Sequence, residues 1–374
     1  MAALSFLAGG CPMTTAPQGD GEPCDQPGVI CTVAGTGQSL FDGDGRPALR
    51  TSFNTPLDVA FDADGQPLIL DWNSFRVRRI NDDTSVHTIM GFDFEDFPRN
   101  GALAVETPLH HASDIETDSA GRLYVAGNHA ACVFRIDLDD RVDVLAGTLE
   151  AGNDGDGGLA TAAKVEGPFG ILPMDDGSFY LADIEAHVVR FVDSDGMIST
   201  IAGNGERGYE GDGGPGVQAK LSSPTRLARD RQGNLYFCDT DNHAIRRVDG
   251  HGMITTFAGT GVEGFSGDGG FAAAAQFSTP YGLCFAPNGD LYVADTGNHV
   301  IRRIDSAGIV TSVVGTGAAG FTGDEGPAGQ AQLNGPSGVI FDDNGSMWIA
   351  DSLNNRVRRV AEFLCFIEAC AGSP

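Results

Sequence analysis

The block LYVADTGNHVIRRID at 291–305 recurs along the chain at a constant interval of 56 residues. Backward steps give LYFCDTDNHAIRRVD, FYLADIEAHVVRFVD, LYVAGNHAACVFRID and PLILDWNSFRVRRIN, and the forward step gives MWIADSLNNRVRRVA. No insertion or deletion separates the copies, so one column holds Asp71, Gly127, Asp183, Asp239, Asp295 and Asp351. A fixed period of this size marks a repeat architecture, whose units bury their apolar faces only against neighbours.

Each unit carries four apolar runs of strand length; in the fifth they are YGLCFA, DLYVAD, HVIRRID and GIVTSVVG. Turns rich in Gly, Asn and Asp separate them, as in a meander. About twenty residues rich in Gly and Asp then lead to the next unit. A four-stranded sheet repeated radially is a propeller blade, and a linear β-solenoid is the rival. The run VICTVAG at 29–35 matches the fourth strand of a unit, while the sixth unit stops after its third strand at Val360. A ring that shares its last blade between the two ends closes its open sheet edges. The expected fold is therefore all-β: a six-bladed β-propeller over 29–360, with four antiparallel strands per blade and the N-terminal strand completing the last.

LYVADTGNHVIRRID, preceded by PYGLCFAPNG and joined to AGTG and GFSGDGG loops, resembles the NHL repeat over all six units. It is especially similar to the bacterial variety shared with the teneurin propellers. The resemblance implies a propeller that binds or scaffolds; a minority of the family, such as the amidating lyase and relatives of the lactonases, are enzymes. Fold alone does not choose between them.

The formal charge is −28, and the only lysines are Lys164 and Lys220. Such a surface repels nucleic acid. No stretch is long and apolar enough to span a membrane as a helix. The start, MAALSFLAGGCP, is similar to a lipoprotein signal, with Cys11 as the candidate lipidated residue, although its Leu is one place early and a basic start is lacking. Residues 1–28 are read as this segment plus a tether rich in Pro, Thr, Gly and Asp, and 361–374 as a tail with cysteines. Export to a bacterial envelope or the extracellular space follows, with membrane contact only through the lipid. Cys24, Cys31, Cys365 and Cys370 flank the ring closure, where disulfides would clip it; zinc is the rival, without tight CxxC spacing. Cys132, Cys238 and Cys284 replace small apolar residues and read as core.

Six units align with one another, so shared residues are scaffold and departures are functional candidates. His187, His243 and His299 recur at one position and are read as structural. The column Asp71, Asp183, Asp239, Asp295 and Asp351 is also scaffold, as is Arg78, Arg190, Arg246, Arg302 and Arg358. The second unit loses both members, to Gly127 and Phe134. Joint loss predicts contact between them, because a buried charge without its partner costs about 3–5 kcal/mol. The loops hold DxDG pairs, Asp42 with Asp44 and Asp154 with Asp156. These suit calcium, and equally suit a plain Asp-Gly turn.

The first strand opens Pro-x-Gly in three units, around Phe169, Tyr281 and Ser337. The other three replace that Gly by Asp58, Asp114 and Arg226, with His110 and His111 just ahead of Asp114. These residues, with Phe169 and Tyr281, are the candidate ligand contacts at the channel mouth on the loop-rich face. The expected role is a monomeric binding module for a protein, peptide or glycan, with calcium the one candidate cofactor. The alternative is a metal-assisted lyase or hydrolase at the channel mouth, drawing on His110, His111, Asp58 and Asp114. No nucleophile elbow, phosphate loop or HExxH motif appears.

Overall fold

The computed structural model describes residues 23–92 and 97–364. They form six antiparallel sheets arranged as a ring, and the ring closes as the repeat requires. Val29–Ala34 pairs with Arg356–Val360 in register Ile30 to Val360 and Cys31 to Arg359, completing the sheet that holds Met347–Asp351 and Pro336–Phe341. Blade one contains Pro56–Phe61, Pro67–Asp71, Arg76–Ile80 and Ser85–Met90. Blade two contains Ala112–Thr117, Leu123–Gly127, Cys132–Ile136 and Val142–Ala146. The inner strands of blades three, four and five are Pro168–Pro173, Pro224–Arg229 and Pro280–Phe285. Among the described residues, the helical elements between and within the blades are 3₁₀ turns of three residues.

Alternation along each strand sends one side chain towards each neighbouring blade, so the core is divided. Six apolar clusters result, one for each pair of adjacent blades. Val59, Ile69 and Val86 of blade one meet Trp348, Ala350 and Val357 of blade six; Tyr292 and Ile301 of blade five meet Val339 and Ile349. Cys132 and Cys238 are free and buried within such clusters, and Cys284 is free and half-buried.

The shared polar residues hold this frame. Arg302 Nη1 lies 3.2 Å from Asp295 Oδ2, Arg246 Nη1 2.9 Å from Asp239 and Arg358 Nη1 3.3 Å from Asp351. Arg78 is 3.8 Å from Asp71. All five arginines also contact a loop aspartate, as Arg246 does Asp212 at 2.8 Å; in blade three Arg190 contacts this partner, Asp156, at 2.5 Å, while Asp183 accepts from the Glu166, Gly167 and Ala186 amides. In blade two the Phe134 ring occupies the space, its Cε1 only 3.3 Å from where a Cβ on Gly127 would stand.

The recurring histidines are staples between blades. His187, His243 and His299 adopt left-handed backbone, and each Nδ1 accepts from an amide of the next blade: Ser223 at 3.2 Å, Thr279 at 3.1 Å and Gly335 at 3.1 Å. Asn355 does the same for Thr55 at 2.9 Å. Blade one has Phe75 at this position, and its ring instead packs on His111, 4.6 Å between centroids.

Near the ring closure Cys24 and Cys31 form a disulfide. Cys11, Cys365 and Cys370 lie outside the described residues.

Candidate functional site

The three charges that replace the inner-strand glycine meet inside the channel. Arg226 of blade four reaches across to blade one, with Nη1 2.6 Å from Asp58 Oδ2, and also touches the Asp114 carboxylate of blade two. Its Nη2 donates to the Ser113 carbonyl at 3.1 Å. Each carboxylate also accepts an amide from the next blade: Ile115 to Asp58 at 3.3 Å, and Ile171 to Asp114 at 2.7 Å. Asp114 is 1 % exposed, Arg226 5 % and Asp58 6 %. These residues point into the channel as expected and close on one another there, with Arg226 offsetting the two carboxylates.

One residue earlier, the inner strands present Leu57, Ser113, Phe169, Thr225, Tyr281 and Ser337 around the ring, bulky and hydroxylic in turn. The hydroxyls tie blades together, Thr225 donating to the Tyr281 carbonyl and Ser337 to that of Leu57. Phe169 and Tyr281 meet edge to face across the channel at 5.1 Å. They narrow it at the strand starts, and burial pushes the Tyr281 phenol well above its usual range.

Beyond the triad the channel widens into a cavity of about 230 Å³, lined by Asp58, Glu116, Leu172, Arg226, Cys284 and Ile340. Its lining comes from the later parts of the inner strands, so it lies towards the face opposite the long loops. Burial, and then the Asp58 charge, push the Glu116 carboxyl well above the carboxylate range. A groove on that same opposite face is lined by Arg231, Tyr236, Phe285, Phe341 and Asp342.

The loop carboxylates proposed for calcium each have partners within the protein. Asp44 contacts Arg78 at 3.2 Å and accepts the Thr88 amide; Asp156 contacts Arg190 and accepts the Thr200 amide. Asp42 accepts the Ser52 amide and Asp154 that of Lys164. Guanidinium groups or backbone amides thus contact each of these acids.

Two features escaped the sequence reading. The first is an annulus of aromatic rings, one per long loop at the 56-residue spacing: Phe41, Phe97, Tyr209, Phe265 and Phe321, with Asn153 in the sixth place. Most lie over the buried arginines, Arg246 being 5.1 Å from the Tyr209 centroid and Arg302 5.3 Å from that of Phe265. Such cation–π contacts fix each ring while leaving its outer face open: Tyr209 stays 38 % exposed, Phe265 47 % and Phe321 37 %. The signal was visible as a column, but it read as part of the GFSGDGG turn. The second is His129, on the turn after Gly127, which joins His110 and His111. One potential ligand atom from each lies within 4.8 Å of the others. Its signal was a lone departure in blade two, where other blades carry Asn73, Glu185, Asp241, Gly297 and Leu353.

The model of the teneurin NHL domain matches residues 27–210 and 205–265, and that of the NHL repeat matches 277–304. Teneurin-4 of Mus musculus is 27 % identical over 89 % of the chain, which spans only 13 % of that protein. Human NHL repeat-containing protein 2 is 29 % identical over 71 % of the chain and 41 % of its own length. Among solved structures, an auxiliary nutrient binding protein from Bacteroides ovatus superposes with a TM-score of 0.66 at 16 % identity, covering 90 % of this chain and 77 % of that one. A streptogramin B lyase superposes at 0.52 with 16 % identity, covering 83 % and 94 %. These last two likenesses show the fold alone. The family model covers well over half of the chain and coincides with the stapled, ring-closed blades, so this chain belongs to the teneurin NHL domain family.

Proposed function

We propose that this propeller is an exported binding module that holds a protein, peptide or glycan on its loop-rich face. One observation carries the reading: the annulus of half-exposed aromatic rings, backed by buried arginines and flanked by loop carboxylates such as Asp212 and Asp268, which are about half exposed. Rigid aromatic faces supply contact area at low entropic cost, and acids at their edges supply orientation. Sugar rings and aromatic or basic side chains are the chemistry this surface fits. The Cys24–Cys31 disulfide supports export, since such bonds persist in oxidising compartments. The resemblance to a nutrient binding protein supports a binding role by analogy of fold.

The test is a glycan array and a displayed peptide library probed with the wild-type protein and with a Tyr209→Ala/Phe265→Ala variant. Ligands retained by the first and lost by the second support the reading. Ligands retained by both, or lost only when Arg231 and Phe341 of the opposite groove are changed, overturn it. The second reading, metal-assisted lyase or hydrolase, is favoured by the three clustered histidines. It cannot draw on Asp58 and Asp114 as ligands while Arg226 holds them.

A further inference from the structure

We propose that His110, His111 and His129 together bind a zinc ion at the rim of blade two. These three histidines occupy three repeat columns in which the other five blades carry none. They stand in the one blade that has lost both its scaffold carboxylate and its arginine, and where the preceding blade has Phe75 in place of a staple. In five blades the amide at the column of His110 donates to the strand carboxylate, as Ser278 does to Asp295 at 2.8 Å; Gly127 offers no such acceptor. Blade two has thus exchanged a carboxylate-held corner for an imidazole-held one.

The geometry suits a metal. His110 and His111 approach from the segment entering the inner strand, and His129 from the turn between the second and third strands of the same blade. Their rings stand 4.6–5.8 Å apart by centroid, at mutual angles of 49–83°. Edges from Trp72 and Phe75 pack on His111, at 5.2 and 4.6 Å, and Phe97 approaches His110 at 6.3 Å. Two rings are therefore held in an aromatic wall, while His129 is exposed on its turn and free to adjust. Tetrahedral zinc with Zn–N bonds of about 2.0–2.1 Å needs nitrogens about 3.3 Å apart. The three ligand atoms already lie within 4.8 Å of one another, so small rotations of the imidazoles would bring them to that spacing. Neutral imidazole ligands select zinc, copper or nickel over calcium or magnesium. The net charge of −28 raises the local concentration of any cation. Three imidazoles leave a fourth position open to solvent, available to water or to a donor atom of a bound partner.

The experiment uses full-length protein without a histidine tag, stripped by chelator and titrated with zinc against a chromophoric chelator. Parallel cobalt(II) loading reports coordination through its visible spectrum. Wild type should take up one equivalent of zinc in competition with the chelator and give a cobalt spectrum of tetrahedral or five-coordinate nitrogen ligation. His129→Ala, a change at an exposed position, should lose that equivalent and the spectrum. His251→Ala, an exposed histidine on a distant turn, should keep both. His110→Ala should match His129→Ala, with circular dichroism confirming that both variants fold. No competitive uptake by wild type, or equal uptake by wild type and His129→Ala, overturns the proposal. Neither result bears on the aromatic annulus, which is tested with ligands alone.

Discussion

Arg226 and Asp58 stand on opposite sides of the ring, yet their side chains meet at 2.6 Å within the channel. The guanidinium also contacts Asp114, so one cation holds two buried carboxylates from adjacent blades. Replacing it with Met should leave two like charges without compensation, at a cost of about 3–5 kcal/mol. Denaturant unfolding should show this loss in Arg226→Met. The triple variant with Asp58→Asn and Asp114→Asn should recover most of it. Equal stability of the single and triple variants would mean that the triad carries no net weight.

Blade two offers the reverse experiment. Gly127→Asp alone should be strongly destabilising, because it buries an unpaired charge and its Cβ would stand 3.1 Å from the Cys132 carbonyl and 3.3 Å from the Phe134 ring. Adding Phe134→Arg should recover part of the loss, with a coupling of about 0.5–3 kcal/mol in a double-mutant cycle. Full recovery is not expected. The loop partner here is Asn100, which accepts the Val144 amide, where other blades offer a carboxylate.

Burial pushes the scaffold carboxyls Asp71, Asp239, Asp295 and Asp351 up to about 6, against the pull of their arginines. Unfolded aspartates titrate near 3.9. Between these values the folded state holds more protons, so this contribution to stability is full below about pH 4 and lost as pH rises through about 6. Burial lowers the His299 imidazole, which works in the opposite sense: its contribution is full above about 6.5 and lost as pH falls through the lowered value. Four carboxyls outweigh one imidazole. The melting temperature should therefore rise between pH 7.5 and pH 5, and the rise should be shallower in Asp295→Asn. An unchanged slope in that variant would contradict the assignment.

The Cys24–Cys31 bond closes a short loop, and chain entropy gives it about 2 kcal/mol. Reductant should lower the melting temperature of the wild type by a few degrees and leave Cys24→Ser unaffected. A residual response in that variant would point to Cys365 and Cys370.

The fold was legible because the repeat is uninterrupted: each strand of one unit predicts its counterpart in the rest, and the split last unit predicts closure. The Asp295–Arg302 contact was legible too, through the joint loss at Gly127 and Phe134. Depth in the channel was not. Whether Asp58 reaches solvent depends on how far Arg226 extends across the ring and on Phe169 meeting Tyr281, both side-chain matters that no spacing encodes. His129 was missed for a different reason: in a turn column already varied among Asn, Glu, Asp, Gly and Leu, one more substitution carries little signal until space brings it to His110 and His111.

The split last blade also sets an order of events at the ribosome. Val29–Ala34 emerges early, but its partner Arg356–Val360 is made about 320 residues later. At about 5–20 residues per second this is a wait of roughly 15–60 seconds. For that time the apolar strand VICTVA lacks the partner of its inner edge, whose backbone donors and acceptors are open to a neighbouring chain. Cys24 and Cys31, by contrast, lie close enough in sequence to join during the wait. Their bond would hold the strand's leading end in a compact loop before the sixth blade exists. The ring is thus finished from its newest end, by docking onto its oldest strand.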